Sequence, residues 1–277
     1  MALSKRARLC LAAGMERPAV LVTGGAKRIG AVIARRFAEA GWHVVIHYGR
    51  SRAAAQALAA ELPSAECVSC DMADSDAAVA MVRDLGASLA DWRVLVNSAA
   101  VFHFDSVAAL DPTVFTEAMT VNAATPARMA QAFLAPPEGG GARAASGRRV
   151  IDLLDMKLAN PNPDFFSYTM AKHALAATVR MLAMGAVQAG NTADRVYGLA
   201  PGAMLASHDQ APQEHEASGR MNLLHRLTDP AELAEAALFL SEGWLASGET
   251  LFVDSGQHLL SQPRDVLYLA RGCQGVG

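Results

Sequence analysis

The feature that most constrains this chain is a glycine-rich turn between an apolar run and an amphipathic segment. The apolar run at 19–22 is followed by Thr-Gly-Gly-Ala-Lys-Arg-Ile-Gly at 23–30, and from 28 to 40 apolar residues recur at helical spacing. A short apolar run that ends in such a turn is typical of a strand buried on both faces, as in a parallel sheet. The sequence therefore predicts a strand, a tight turn and a helix that begins at the turn.

The same alternation continues along the chain. Predicted strands lie at 19–22, 43–48, 65–70, 94–97, 150–154, 195–199 and 250–253, and predicted helices at 28–40, 53–62, 77–89, 112–134, 166–188 and 230–240. This order predicts the α/β class, with a Rossmann-type doubly wound parallel sheet of about seven strands in a single domain at 18–256. We expect residues 1–17 to form a flexible N-terminal tail and residues 257–277 a C-terminal extension.

Composition excludes several classes of protein. Hydrophobic residues make up 52% of the chain and charged residues 18%, so the chain can bury a substantial core. The net charge is -3 and no stretch carries a concentrated basic block, which disfavours a nucleic-acid partner. No uncharged apolar run reaches the length of a membrane span, and the apolar stretch at 9–13 is too short for a signal peptide. We therefore expect a cytoplasmic protein with no membrane partner.

Two segments fall outside the alternation of strands and helices. Residues 136–147 have little to bury and are predicted to form a surface loop. Residues 202–222 are polar and contain His208 and His215, so this segment is either a lid over a pocket or an ordinary surface excursion. Neither these histidines nor the pair Cys67 and Cys70 has a convincing set of partner ligands, and we predict no metal site.

The glycine turn predicts a phosphate-binding site. Its glycines let the backbone approach a pyrophosphate, and the N-terminus of the following helix favours negative charge. Lys27 and Arg28 add positive charge at this point. A tight turn without a ligand is the alternative interpretation.

The end of the second predicted strand indicates which dinucleotide binds there. A carboxylate at this place would repel a 2′-phosphate, and this chain instead carries His47-Tyr48-Gly49-Arg50-Ser51. Arg50 and Ser51, with His47 nearby, are able to bind that phosphate through charge-assisted hydrogen bonds. We therefore predict NADP(H) rather than NAD(H) as the cofactor, the alternative being that Arg50 is a solvated surface charge.

Tyr168 and Lys172 lie four residues apart near the start of a predicted helix, on one face and one turn apart. A nearby ammonium stabilises a phenolate, so we expect Lys172 to lower the pKa of Tyr168 from about 10 towards neutrality. Such a tyrosine serves as a proton donor and acceptor. The spacing alone is also common on helix faces that have no catalytic role.

Taken together, the motifs resemble the short-chain dehydrogenase/reductase family over about residues 18–256. The motifs are the glycine turn, Asn97-Ser98-Ala99-Ala100, Asn122, Tyr168-x-x-x-Lys172 and Pro201-Gly202. The resemblance implies that Tyr168 is the acid/base, that Lys172 binds the nicotinamide ribose and that Asn122 supports a proton-relay water. It also implies a larger set of cofactor-binding residues: Thr23, Gly24, Lys27, Arg28, Ile29, Gly30, His47, Tyr48, Arg50, Ser51, Asp71 beside the adenine, Asn97, Ser98, Ala99, Tyr168, Lys172, Pro201 and Gly202.

Two departures from the common family pattern narrow the resemblance. Asp155 stands thirteen residues before Tyr168, where the family has a serine that bonds the substrate carbonyl, and Arg28 replaces the middle glycine of the turn. With these two residues the chain resembles the pteridine reductase branch of the family, which includes members that reduce dihydromonapterin and dihydrofolate. That branch implies Asp155, Tyr168 and Lys172 as the catalytic set. It also implies a substrate site formed by Arg28, Phe102 stacked on the pterin, Asp155, Phe165 in place of a tyrosine, and Tyr168.

An aspartate suits this chemistry because a pterin is reduced at a ring C=N bond. A ring nitrogen must be protonated as hydride arrives, and Asp155 with Tyr168 is able to relay that proton. The alternative is that Asp155 only caps the loop that follows it. We therefore predict NADPH-dependent reduction of a pterin or dihydropterin. The rival hypotheses are reduction of a ketone, sugar or acyl carbonyl, and a non-catalytic NADPH-binding regulatory subunit. The family resemblance further implies a homo-oligomer, a tetramer or dimer. The chain extends past the last predicted strand, far enough that its end could cross to another subunit.

Overall fold

The structure is a computed structural model and describes residues 17–136, 147–207 and 210–273. The predicted tail, except residue 17, most of the predicted loop at 136–147, and His208 lie outside the described residues. Within the described part, seven parallel strands form one sheet in the order β3-β2-β1-β4-β5-β6-β7. The strands are β1 Ala19–Val22, β2 His43–Tyr48, β3 Ala65–Ser69, β4 Trp92–Asn97, β5 Arg149–Leu153, β6 Arg195–Pro201 and β7 Thr250–Val253.

Helices cover both faces of the sheet. They are α1 Arg28–Glu39, α2 Arg52–Glu61, α3 Ser75–Ser88, α4 Pro112–Met119, α5 Thr125–Leu134, α6 Phe166–Gln188, α7 Pro212–Gly219, α8 Pro230–Ser241 and α9 Val266–Cys273. The predicted strands are all present, with ends that differ by at most two residues. The α/β class and the doubly wound parallel sheet are confirmed.

Two cores lie on opposite faces of the sheet, because successive side chains of a strand point to opposite sides. Leu21 belongs to the core under α3, α5 and α6, whereas Val20 and Val22 belong to the core under α1, α2 and α8. All four residues of β1 are buried. The continuous apolar run of this strand therefore reflects its place at the centre of a sheet that is covered on both faces.

The helical pattern at 112–134 is not one regular helix. The turn Thr120–Ala124 between α4 and α5 is a π-helix, and it contains Asn122. A π-helical turn inserts one extra residue into the helical hydrogen-bond ladder, and such turns are frequent at functional sites. Residue periodicity does not reveal this local change in winding.

The sequence patterns missed α7 and α9. In α7, Pro212 occupies the first turn and the Glu214 side chain accepts a hydrogen bond from the Ala211 backbone N–H at 3.0 Å, which is a recognisable helix start. Its residues are polar, so no apolar stripe marked it. The C-terminal segment, residues 257–273, folds back so that α9 packs against α7 on the same domain.

The topology places a crevice at the carboxyl ends of the strands. The chain runs outward from β1 through β2 to β3, then crosses back so that β4 pairs with β1 on its other side. The loops that follow β1 and β4 therefore diverge, and ligands of doubly wound sheets bind at such a switch point.

Candidate active site

A cavity of about 710 Å³ occupies the crevice. The cavity is lined at the sheet by the glycine turn and by residues that follow β2, β3, β4, β5 and β6. Residues of the polar segment, within 202–207 and at Gln210 and Ser218, and residues of the C-terminal segment also line it. Of the two interpretations of the polar segment, this position favours a lid over a pocket.

The glycine turn is packed too closely to admit side chains at two of its positions. Gly24 has φ +63°, and a Cβ there would lie 3.0 Å from the Cα of Ala99. A Cβ on Gly30 would lie 2.4 Å from the carbonyl oxygen of Gly24. Thr23 joins the turn to the loop after β4, since its Oγ1 accepts hydrogen bonds from the N–H groups of Ser98 at 2.9 Å and Ala99 at 3.0 Å. The result is a cradle of exposed backbone at the end of β1.

Arg28 begins α1 in a left-handed backbone conformation, with φ +52°. This explains why a glycine is common at such a place, since side chains other than glycine adopt positive φ only at an energetic cost. The Arg28 guanidinium donates a hydrogen bond across the cavity to the carbonyl oxygen of Ala206 at 2.9 Å. Lys27, at the N-cap position of α1, makes no side-chain capping hydrogen bond, so the first N–H groups of the helix are suited to bind an anion.

His47 has a different role from the expected one. Its ring is buried, Nδ1 accepts a hydrogen bond from the Gly24 N–H at 3.1 Å, and Nε2 lies 3.0 Å from the Cys70 carbonyl oxygen. Both ring nitrogens are therefore used by the backbone, and burial lowers the pKa of His47. A neutral imidazole engaged in this way supports the glycine turn and has no free donor for a 2′-phosphate.

Arg50 is the residue at the end of β2 that remains suited to bind a phosphate. It is exposed and lines the cavity, as do Gly49 and Asp71. Tyr48 packs partly into the core, and Ser51 is the N-cap residue of α2 without a side-chain capping bond. Neither of these two residues lines the cavity.

Asp155, Tyr168 and Lys172 meet at the floor of the cavity. The Tyr168 hydroxyl donates a hydrogen bond to Asp155 Oδ2 at 2.9 Å, and Asp155 Oδ1 accepts one from the Lys157 backbone N–H at 2.9 Å. The Lys172 ammonium donates to the Leu153 carbonyl oxygen at 2.6 Å and lies 5.6 Å from the centre of the Tyr168 ring. The three residues that the sequence assigned to the catalytic set are thus brought together, and Asp155 both caps its loop and bonds the tyrosine.

Asp105, a residue that the sequence analysis did not single out, fixes the start of the helix that carries Tyr168 and Lys172. Helix α6 begins after Phe165, which has φ +54° and provides no capping bond. The Asp105 carboxylate accepts hydrogen bonds from the Ser167 N–H at 2.9 Å and from the Ser167 hydroxyl. A carboxylate at this end of a helix satisfies free N–H groups and complements the helix dipole.

The pKa of Tyr168 is shifted in the direction opposite to the expected one. Burial raises the pKa of Tyr168 well above its usual value, and the Asp155 carboxylate raises it further. Burial also lowers the pKa of Lys172 to about 8 and raises that of Asp155. The expectation was wrong for this arrangement because a phenolate leaves water and faces a carboxylate, while the Lys172 ammonium points at a backbone carbonyl. Tyr168 is therefore a protonated phenol, ready to donate.

Asn97 and Asn122 support the site from behind and do not line the cavity. Asn97 Nδ2 donates to Asp152 Oδ1 at 2.8 Å within the buried part of the sheet. Asn122 holds the segment after β4 through two bonds to Val101, accepting from its N–H at 2.8 Å and donating to its carbonyl oxygen at 2.9 Å.

An aromatic stack forms one wall of the cavity. The Phe102 and Tyr168 rings are nearly perpendicular, with centroids 4.7 Å apart, and Phe102 stacks on Phe165 with centroids 4.0 Å apart. Phe102 lines the cavity, whereas Phe165 lies behind it. Of the two phenylalanines predicted at the substrate site, Phe102 therefore faces the cavity and Phe165 supports it.

The cavity also contains residues that the sequence analysis missed. Lys157, Gln257 and Asp265 line it together with the apolar residues Met204 and Leu267. The closeness of Lys157 to Asp155 in the sequence was a signal that it could belong to the site. No spacing pattern pointed to the residues of the C-terminal segment. Those residues reach the cavity only because the chain folds back after β7.

Two classes of feature are absent from the part of the chain that the structure describes. At 17–136, 147–207 and 210–273, no three or more His, Cys, Asp and Glu side chains form a group suited to hold a metal ion. Across the same residues, none of the helices has the length and apolar character needed to cross a bilayer.

Fold and site define a dinucleotide-binding oxidoreductase. The sequence profile of a family described as enoyl-(acyl carrier protein) reductase matches residues 24–258. A putative ketoacyl reductase of granaticin polyketide synthesis from Streptomyces violaceoruber is 31% identical over 88% of this chain and 98% of its own. Short-chain dehydrogenase reductase 4 of Arabidopsis thaliana is also 31% identical, over 85% and 80% of the two chains. The chain belongs to the short-chain dehydrogenase/reductase family.

Solved structures show similarity to the pteridine reductase branch. FolM alternative dihydrofolate reductase 1 from Brucella canis, in complex with NADP, has a TM-score of 0.79 and 31% identity, covering 88% of this chain and 95% of its own. The corresponding Brucella suis protein, also with NADP, gives the same TM-score and identity over 88% and 96% of the two chains.

Proposed function

We propose that this protein reduces a pterin or dihydropterin with NADPH. The observation that carries the proposal is the hydrogen bond from the Tyr168 hydroxyl to Asp155 at the floor of the cavity. A carbonyl substrate needs a hydrogen-bond donor at this place, whereas an ionised carboxylate only accepts. Similarity to the two FolM proteins, named as dihydrofolate reductases in complex with NADP, supports the same substrate class and cofactor.

The cleft has the form that a dinucleotide requires. Its close-packed glycines leave backbone exposed, and the N–H groups at the start of α1 have no side-chain cap. In our proposal these groups hold the pyrophosphate, Arg50 binds the 2′-phosphate and Lys172 binds the nicotinamide ribose. Ser98, Ala99 and Pro201 complete the nicotinamide end of the site. NADPH supplies the hydride when it is bound.

Tyr168 is the proposed proton donor. Its raised pKa keeps the phenol protonated at neutral pH, and its hydroxyl lies at the floor of the cavity beside the Phe102 ring. As the ring nitrogen of the substrate gains negative charge, the phenol transfers its proton to it. Asp155, whose pKa is also raised, then takes a proton from solvent and passes it to the phenolate oxygen that it contacts.

Phe102 provides a flat apolar surface for the substrate ring. It lines the cavity, is 38% exposed and stacks on Phe165, and its ring centroid is 4.7 Å from that of Tyr168, so a substrate ring packed against Phe102 lies near Tyr168. Stacking of this kind suits a planar heterocycle better than a short aliphatic ketone. Arg28, which spans the cavity towards Ala206, is placed to bind both cofactor and substrate.

The test is the loss of NADPH absorbance with dihydrobiopterin, dihydromonapterin and dihydrofolate, beside a panel of ketones and aldehydes. We expect turnover of a pterin and a fall of about 10²-fold to 10⁴-fold in kcat for Tyr168→Phe. Tyr197→Phe is the matched control, because that phenol bonds the Leu245 carbonyl oxygen on the other side of the sheet. Full pterin turnover by Tyr168→Phe would contradict the assignment.

Carbonyl reduction is the second candidate function. It is favoured by the names of two relatives, the ketoacyl reductase of Streptomyces violaceoruber and a versicolorin reductase of Emericella nidulans. Asp155→Ser separates the two candidates, since a hydroxyl donates to a carbonyl oxygen and an ionised carboxylate does not. Turnover of ketones by the unaltered protein, with none of pterins, would establish carbonyl reduction and exclude our proposal.

We further propose that the chain assembles with copies of itself and acts in the cytoplasm. Exposed apolar side chains at Met181, Met184, Val187 and Trp244 support self-association, because soluble proteins keep few such residues together on a free surface. Light scattering of the purified protein measures the assembly directly. A monomer at micromolar concentration would contradict the proposed oligomer.

A further inference from the structure

Lys157 is a buried lysine beside the catalytic carboxylate. Its backbone N–H donates to Asp155 Oδ1 at 2.9 Å, and its side chain is only 5% exposed. The ammonium nitrogen lies 2.6 Å from Asp265 Oδ2, donates to the Asp164 carbonyl oxygen at 3.3 Å and lies 5.0 Å from the centre of the Phe165 ring. A lysine buried in this manner loses its hydration, so its position depends on these few partners.

The partner of Lys157 comes from the C-terminal segment. Asp265 is held firmly, because its N–H donates to Asp164 Oδ2 at 2.8 Å and its own Oδ1 accepts from the Leu267 N–H at 3.0 Å. Asp164 is further paired with Arg264 at 2.7 Å. Asp265 also lines the cavity, with Val266 and Leu267. The ion pair therefore links the loop after β5 to the segment that closes the cavity.

Lys157 and Asp155 lie two residues apart along the chain, and both line the cavity. Other charged or titratable groups of the site and of the elements packed around it are Tyr168, Lys172, Asp152, Asp164, Arg264 and Asp265. Burial raises the pKa of Asp155, and among the groups that oppose this rise the charge of Lys157 comes first, ahead of the Tyr168 hydrogen bond and the charge of Lys172. Lys172 contributes less although it belongs to the catalytic set, and its ammonium is bonded to the Leu153 carbonyl oxygen.

We propose that Lys157 is a positioning residue for Asp155, and that Asp265 holds its ammonium in place. The C-terminal segment thereby controls the charge of the carboxylate that pairs with Tyr168. The inference rests on the proposed role of Asp155 in proton transfer, but not on the identity of the substrate. In this proposal the C-terminal segment acts on the active site of its own chain, through the contact of Asp265 with Lys157.

The experiment measures the ionisation of Asp155 directly. Protein labelled with ¹³C in its aspartate carboxyl groups is titrated by NMR, and the Asp155 resonance is assigned by its loss in Asp155→Asn. The variants are Lys157→Met, the conservative Lys157→Arg, and the double variant Lys157→Met with Asp265→Asn, which replaces the buried pair by neutral groups. In parallel, the pH profile of kcat/KM is recorded with the best substrate, pterin or ketone, and unfolding is followed in urea.

We expect the pKa of Asp155 to rise by about one unit in both variants that lack Lys157, a tenfold change in its ionised fraction, and to return in Lys157→Arg. The limb of the pH profile that reports Asp155 should move to higher pH by the same amount, because the carboxyl group holds its proton more tightly. An unmoved Asp155 titration in the folded double variant would overturn the proposal. So would failure of the double variant to fold, which would assign the pair to stability alone.

The outcomes also separate this proposal from the proposed function. Absence of pterin turnover would contradict the proposed function. The titration of the Asp155 carboxyl group would still test the role of Lys157, because it needs no substrate. If pterins are turned over but the Asp155 titration is the same with and without Lys157, only the proposed role of Lys157 is contradicted.

Discussion

Asp152 offers a quantitative test of how burial acts on this fold. The residue lies in β5, is completely buried, and accepts one hydrogen bond from Asn97 Nδ2 at 2.8 Å. Its second carboxylate oxygen and the Asn97 side-chain oxygen have no hydrogen-bond partner among the described residues. Burial raises the pKa of Asp152 from 3.8 to about 7, even though the bond from Asn97 and the charge of Lys172 both lower it.

The sign of the effect follows from proton linkage. The folded protein holds this proton more tightly than the unfolded chain, so the stabilising contribution is complete below the unfolded pKa and is lost as pH rises through about 7. Between about pH 5 and about pH 8 the loss is close to two pKa units, or about 3 kcal/mol of unfolding free energy. Asp152→Asn has no proton to lose. The new side-chain amide also carries N–H donors, next to the Asn97 side-chain oxygen that has no hydrogen-bond partner among the described residues.

We therefore expect the unfolding free energy of Asp152→Asn, relative to the unaltered protein, to become more favourable by about 3 kcal/mol from about pH 5 to about pH 8. Urea denaturation followed by circular dichroism at several pH values measures this difference. Asp84→Asn, at an exposed position of α3, is the matched control and should show no such trend. A difference that stays constant across the pH range would refute the argument from burial.

Three further predictions concern the cofactor cleft and the start of α6. Gly30→Ala places a Cβ 2.4 Å from a carbonyl oxygen of the turn, so the affinity for NADPH, measured by fluorescence titration, should fall by about tenfold or more. Gly86→Ala is the control, because a Cβ there meets nothing within 4 Å, and it should bind NADPH as the unaltered protein does. Arg50→Ala should weaken NADPH binding by about tenfold and leave NADH binding unchanged; equal losses would place Arg50 away from the 2′-phosphate. Asp105→Ala removes the acceptor for Ser167 and should lower the unfolding free energy by about 1–2 kcal/mol, measured in urea; unaltered stability would show that α6 needs no such cap.

Short-range patterns predicted the sheet well because each strand and helix carries its own signal. The apolar run of β1 and the periodicity of α1 are local properties, and the glycines between them leave few other conformations. The same holds for Tyr168 and Lys172, whose spacing on α6 places them on one face whatever the rest of the chain does. Their meeting with Asp155 follows from the parallel order of β5 and β6.

Long-range contacts explain what the sequence analysis missed. His47 has the residue type of a phosphate ligand, but its position under the glycine turn engages both of its nitrogens. Asp105 and Asp265 lie far along the chain from the groups they bond, and no periodicity connects them. The left-handed backbone at Arg28 also depends on the turn as a whole, although the missing glycine was visible.

What the sequence determined by itself is the alternation of strands and helices, the glycine turn between β1 and α1, and the placement of Tyr168 and Lys172 on one face of α6. These features are local, so a few neighbouring residues specify each of them. The tertiary structure alone decided the direction of the pKa shift of Tyr168 and the placement of Asp265 beside Lys157. Both depend on how completely water is excluded and on which distant charges come within a few ångströms, because electrostatic effects in a protein follow distance through space and not separation along the chain.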